Sequence, residues 1–130
     1  MKILIIGGAG MVGQKLARAI AAGGMGDTAV TAMTLHDIVA AKPVEAGFPV
    51  TVETGNFADA GECGRLAAAR PDIVFHLAAI VSGDAEQNFR KGWDINARGS
   101  WHLLEALRAE HEASGGRYRP RVVFTSSIAV

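Results

Sequence analysis

Apolar positions in this chain fall into short unbroken runs, separated by stretches with a four-residue rhythm. Residues 2–6, "KILII", form the first run. Branched apolar residues without a polar interruption predict a strand buried on both faces, as in a parallel sheet covered by helices. After a run of small residues, Val12, Leu16 and Ile20 recur every fourth position, with Ala17 and Ala19 between them. That is one face of a helix, beginning near Met11 and closed by Gly23 and Gly24. "TAMTLHD" (31–37) and "FPVTVE" (48–53) read as the second and third strands. Leu66 and its surrounding alanines predict a helix over 58–70, stopped by Pro71. "DIVFHLAA" (72–79) reads as a fourth strand running into a turn of small residues. Residues 84–112 are mostly helical in pattern. Leu103, Leu104 and Leu107 mark the surest face, and Gly92 and Gly99 break or pin the run. "GGRYRP" reads as a loop and "RVVFTSS" (121–127) as a fifth strand.

Strands that alternate with helices imply right-handed crossovers and an α/β, doubly wound parallel sheet of the Rossmann type. The expected strand order is 3-2-1-4-5. The length, 130 residues, suits one domain. Thirteen basic and thirteen acidic residues give no net charge, so nothing directs the chain to nucleic acid or an anionic membrane. The single cysteine, Cys63, cannot form an internal disulfide, which favours a reducing compartment. No apolar stretch approaches the roughly 18 residues that span a bilayer, and the N-terminal apolar run is too short for a signal peptide. A cytoplasmic protein is expected. His36, His76, His102 and His111 lie on different elements without paired ligand spacing, so no metal site is expected. His76 reads as a satisfied, partly buried strand-end residue, and Trp93 and Trp101 read as packing residues.

The small residues after the first strand carry the candidate chemistry. Gly7, Gly10 and Gly13 stand in a GxxGxxG spacing. Gly7 lets the chain turn off the strand, Gly10 lets a diphosphate reach the backbone, and Gly13 lets the helix pack close to the sheet. The unpaired N–H groups at the helix start then face an anion. An acidic residue, Asp37, ends the next strand 24 residues after Gly13. Its carboxylate can accept hydrogen bonds from both adenine-ribose hydroxyls and would repel a 2′-phosphate, favouring NAD over NADP. Lys42 reads as a solvated surface lysine.

The motifs "GGAGMVG", "LHD", "GNF", "HLAA", "INARGS" and "FTSSIAV" resemble the N-terminal half of the extended short-chain dehydrogenase/reductases, which include sugar-nucleotide epimerases and dehydratases. Within that group, "FHLAAIVSG", "KGWDIN" and "RVVFTSSIAV" most resemble D-erythronate dehydrogenase and its close relatives. The resemblance implies an NAD-dependent enzyme that oxidises a secondary alcohol of a small sugar acid. Its alternatives are a sugar-nucleotide epimerase or dehydratase, and a non-catalytic dinucleotide sensor. It also implies a phosphate loop at Gly7, Gly10, Met11, Val12 and Gly13, and a ribose carboxylate at Asp37. Asn56 and Phe57 fall at the adenine, where the family usually has Asp in place of Asn56. Leu77, Ala78 and Ala79 match the loop that passes along the cofactor, and Asn96 matches a residue ordering the site beside the nicotinamide. Ser127 aligns with the catalytic Ser or Thr, Ser126 shares part of that role, and Ser82 is a candidate substrate contact. The family's general base is a Tyr four residues before a Lys. Here the single tyrosine, Tyr118, is followed four residues on by Val122. The expectation is therefore a dinucleotide-binding portion, residues 1–130, of a longer enzyme. The Tyr/Lys helix and substrate domain lie outside this chain, so it is inactive by itself. A homodimer is expected from the same resemblance.

Overall fold

The computed structural model describes residues 1–23, 25–80 and 82–126. Five parallel strands form one sheet in the order β3-β2-β1-β4-β5, as the alternation predicts. They are β1 (Lys2–Ile6), β2 (Ala32–Asp37), β3 (Val50–Thr54), β4 (Ile73–His76) and β5 (Arg121–Phe124). The register places Ile6 beside His36 on one side and His76 on the other, so β1 and β4 end level and β2 runs one residue further, to Asp37.

Helix α1 (Met11–Ala21) covers one face. Helices α2 (Ala60–Ala68) and α5 (Ser100–Ala113) cover the other. The period-two alternation of a strand explains how β1 serves both layers. Ile3 and Ile5 pack with Ala17 and Ile20 of α1, while Leu4 and Ile6 pack with Leu66, Leu103 and Leu107 of α2 and α5. All four β1 side chains are buried, and each contributes about 1.5–3 kcal/mol through removal of apolar surface from water.

The long helical stretch is not continuous. It runs as α3 (Ser82–Gln87), α4 (Phe89–Gly92), a π-helical turn over Trp93–Gly99, and then α5. The two glycines pin this run at the limits of the π turn. A Cβ on Gly92 would meet the Ala85 Cβ at 2.8 Å, and one on Gly99 would meet the Phe57 ring at 2.8 Å. Trp93 and Trp101, expected as packing residues, are instead more than half exposed. Helical periodicity shifts across a π turn, so the face read from α5 does not extend back to Trp93, while Trp101, on α5 itself, stands about 200° around the helix from buried Leu103. Among the described residues β5 pairs with β4 alone and leaves Val123 and Phe124 exposed.

A cleft at the carboxyl ends of the strands

The chain goes from β1 outward to β2 and β3, then returns to the other side of β1 as β4. At that reversal the loops after neighbouring strands diverge and leave a crevice, the usual ligand position in such sheets. Here it is a cleft of about 560 Å³. Gly7 and Gly10 line it from the β1 loop, Asp37 from the end of β2, Asn56 and Phe57 after β3, and Leu77, Ala78 and Ala79 after β4.

Gly7 has φ of +90°, a conformation L side chains rarely adopt, and a Cβ there would lie 2.8 Å from the Ala78 nitrogen. Gly13 lies directly against the turn, where a Cβ would collide with the Gly7 carbonyl oxygen and approach Gly8 Cα at 3.0 Å. The backbone donors of this loop can be followed one by one. Gly7 and Gly8 both donate to the His36 carbonyl at 2.9 Å, Ala9 donates to Asp37 Oδ2 at 2.9 Å, and Gly10 donates to the Gly7 carbonyl at 3.2 Å. Gln14, the next donor after the first helical turn, bonds to the Gly10 carbonyl at 2.9 Å. The amides of Met11, Val12 and Gly13 have no partner within the helix by geometry. Gly10 caps α1 without a side-chain bond, and the first turn holds no acidic residue. An anion at the mouth of the cleft therefore meets uncompensated N–H groups and the positive end of the helix dipole. Met11, Val12 and Gly13 are not among the residues lining the cleft, and the side chains of Met11 and Val12 are largely exposed, which leaves only their backbone amides to meet an anion at the helix start.

Buried Gln14 holds this loop from behind, donating through Nε2 to the Gly8 carbonyl at 2.8 Å and the Lys42 carbonyl at 3.2 Å. The lysine itself is exposed. On the far side, Asn56 accepts the Ala58 N–H through Oδ1 at 3.1 Å, which turns its amide nitrogen away from that bond. Phe57 is buried, with its ring edge-on to His76 at 4.7 Å between centroids.

Asn96, on the π turn, does not line the cleft. It grips the cleft-lining loop from outside. Its Nδ2 donates to the Ile80 carbonyl at 3.0 Å, and its Oδ1 accepts the Ile80 N–H at 2.8 Å. Ser100 donates to the Asn96 carbonyl at 2.8 Å and therefore accepts from His76 Nε2–H, at 2.9 Å. The imidazole is thus tied by one nitrogen only. Its Nδ1 is buried without a partner among the described residues, unlike the satisfied histidine read from the sequence. Burial pushes the His76 pKa down and keeps the ring neutral.

Sequence reasoning missed a charged network under the β2 end. His36 Nε2 donates to Glu62 Oε1 at 2.8 Å, and Arg65 bridges Glu62 and Glu53 at 2.8 and 2.7 Å. The Arg65 guanidinium, opposed by partial burial and helped by His36, holds the Glu62 carboxyl down at about 2. His36 could have been placed by strand alternation, since it must face opposite Leu35. Nothing local marks Glu62 as its partner. Ile38, Ile80 and Ile95 also line the cleft; Ile80 and Ile95 stand inside the family motifs but are not read from them as site residues, and Ile38 lies outside them.

Tyr118 is remote from the cleft, in the loop before β5. Its hydroxyl donates to the Pro71 carbonyl at 2.8 Å, and burial pushes its pKa up to about 12. Cys63 is buried, donates its thiol to the Phe57 carbonyl at 3.3 Å, and has its pKa pushed up to about 11 by burial. Ser126 is exposed past the end of β5. Ser82 opens α3, its side chain outside the described set, and Ser127 lies outside the described residues. No cluster that could hold a metal ion occurs among the described residues, and none of their helices is long and apolar enough to cross a membrane.

Residues 3–130 match the NAD dependent epimerase/dehydratase family. The chain belongs to that family. It is 38% identical to a D-erythronate dehydrogenase of Cupriavidus necator, over all of this chain and 40% of that protein's length. A nucleoside-diphosphate-sugar epimerase from Agrobacterium tumefaciens superposes with a TM-score of 0.94 at 45% identity, over all of this chain and 38% of the other. A UDP-glucose 4-epimerase from Brucella ovis, solved in complex with NAD, gives a TM-score of 0.72 at 26% identity over 98% of this chain and 36% of its own. The chain thus spans about 40% of the length of the curated family member.

Proposed function

We propose that residues 1–130 are the dinucleotide-binding portion of an NAD-dependent oxidoreductase that oxidises a secondary alcohol of a small sugar acid such as D-erythronate. One observation carries the reading. The open N-terminus of α1 and the Asp37 carboxylate face one cleft, bridged by the Ala9 N–H bond at 2.9 Å. In this reading the first-turn amides of α1 receive the diphosphate, and Asp37 receives the adenine-ribose hydroxyls. The base then lies beyond Asp37, among Ile38, Asn56 and Phe57, and the Leu77–Ile80 loop runs beside the rest of the cofactor. When bound, the nicotinamide supplies hydride acceptance. Asn96 holds the Ile80 backbone in place, and Ser127, aided by Ser126, orients the substrate oxygen, with Ser82 as a further substrate contact. Tyr118 is spent on Pro71 and is not the general base, so this stretch alone is expected to be inactive. The protein is read as cytoplasmic and homodimeric.

Calorimetric titration of the purified protein with NAD tests the reading. Asp37→Ala should weaken binding at least tenfold, the effect of losing charge-assisted hydrogen bonds. Unchanged affinity would overturn the ribose assignment. The 45% identity to the Agrobacterium epimerase favours a second reading, a sugar-nucleotide epimerase. Epimerisation returns the hydride, so reduced cofactor does not accumulate. Build-up of NADH with D-erythronate, measured on the full-length parent enzyme, selects the dehydrogenase.

A further inference from the structure

Both carboxylate oxygens of Asp37 are engaged by backbone. Oδ2 accepts the Ala9 N–H at 2.9 Å, and Oδ1 accepts the Ile38 N–H at 2.7 Å. The first bond crosses from the end of β2 to the middle of the glycine loop, and the bonds from Gly7 and Gly8 to the His36 carbonyl make the same crossing. The loop is therefore hung from the β2 end by three consecutive amides, and only the third depends on a side chain. We infer that Asp37 is also a positioning residue: its carboxylate is a strut that holds the phosphate loop in its anion-binding shape, so that diphosphate and ribose recognition are coupled through Ala9. This rests on the dinucleotide reading above and adds a second task for the same residue.

The lone pairs permit both tasks. A carboxylate has about four acceptor positions, and the two backbone bonds use two of them, leaving two for ribose hydroxyls. Without the carboxylate, the Ala9 amide loses its acceptor, and the turn from Gly8 into α1 keeps the Gly7 and Gly8 bonds at its base, the Gly10 bond to the Gly7 carbonyl and Gln14, none of which touches the Ala9 amide.

The strut and a plain ribose contact predict opposite signs for a ligand that has no ribose. Inorganic pyrophosphate is repelled by the Asp37 charge, so simple electrostatics says that Asp37→Ala strengthens its binding. The strut says the reverse. We expect Asp37→Ala to weaken pyrophosphate about tenfold, and Asp37→Asn, whose Oδ1 can still accept from Ala9, to bind it at least as well as the parent. Amide hydrogen exchange at Ala9 asks the same question without ligand. Protection should fall about tenfold or more in Asp37→Ala and persist in Asp37→Asn, with Gly7 and Gly8 unchanged in both. Parent-like Ala9 exchange in Asp37→Ala, or pyrophosphate bound as tightly as by the parent, overturns the strut. If Asp37→Ala fails to fold, Ala9 exchange in Asp37→Asn decides, since loss of protection there sinks the idea. Failure of the nucleotide reading looks different: the parent protein then binds neither NAD nor pyrophosphate, while Ala9 protection still follows the side chain at position 37.

Discussion

At Gly13 one methyl group decides whether the first helix can approach its strand. A Cβ there collides with the Gly7 carbonyl, which is backbone and cannot rotate away. Gly13→Ala should therefore destabilise the protein by about 1–3 kcal/mol, the usual cost of overpacking, and thermal unfolding will measure it. NAD affinity should fall as well, because α1 must retreat from the turn that aims its amides. The three glycines were legible in the sequence because their spacing falls between a strand and an apolar-faced helix, with an acidic residue ending the next strand. Gln14 was not. Only the folded loop shows that one buried side chain ties Gly8 to Lys42.

At the scale of elements, α2 is joined to the sheet by charge as well as by apolar packing. Glu62 links α2 to His36 on β2, and Arg65 links it to Glu53 on β3. The folded-state pKa of Glu62, about 2, lies below its ordinary value of 4.5. A depressed carboxylate contributes stability that is complete above pH 4.5 and is lost as pH falls toward 2. Arg65 is half exposed, so solvent screens the pair, and the contribution is about 1–2 kcal/mol. Glu62→Gln should lower the unfolding temperature at neutral pH, and the gap from the parent should narrow steadily between pH 4.5 and 2. A gap constant over that range would remove the ionic explanation. The π turn is the other feature set by packing. The glycines at positions 92 and 99 signalled a special segment, but its winding follows from Gly99 lying against Phe57 and Asn96 gripping Ile80.

For the whole molecule, the exposed apolar groups along α4 to α5 matter most. Phe89 stacks on Trp93 with centroids 6.4 Å apart, and Trp101 and Leu104 are also more than half exposed. Large aromatic groups left in water favour burial against a second surface. With a second copy as that surface, sedimentation velocity should show a dimer, and Trp101→Glu should raise its dissociation constant about thirtyfold. A parent protein that sediments as a monomer at all concentrations would rule this out.

The sequence by itself determined the order of the elements, the parallel sheet and the place of the phosphate loop. These follow from local facts: unbroken apolar runs need two covering layers, crossovers have one hand, and a glycine without Cβ is needed where backbone must be bare. Tertiary structure decided the rest. It set Glu62 beneath His36, Asn96 against Ile80, Asp37 on Ala9 and both tryptophans toward solvent. The first three join residues far apart in the chain, and only the distances between packed elements select such partners.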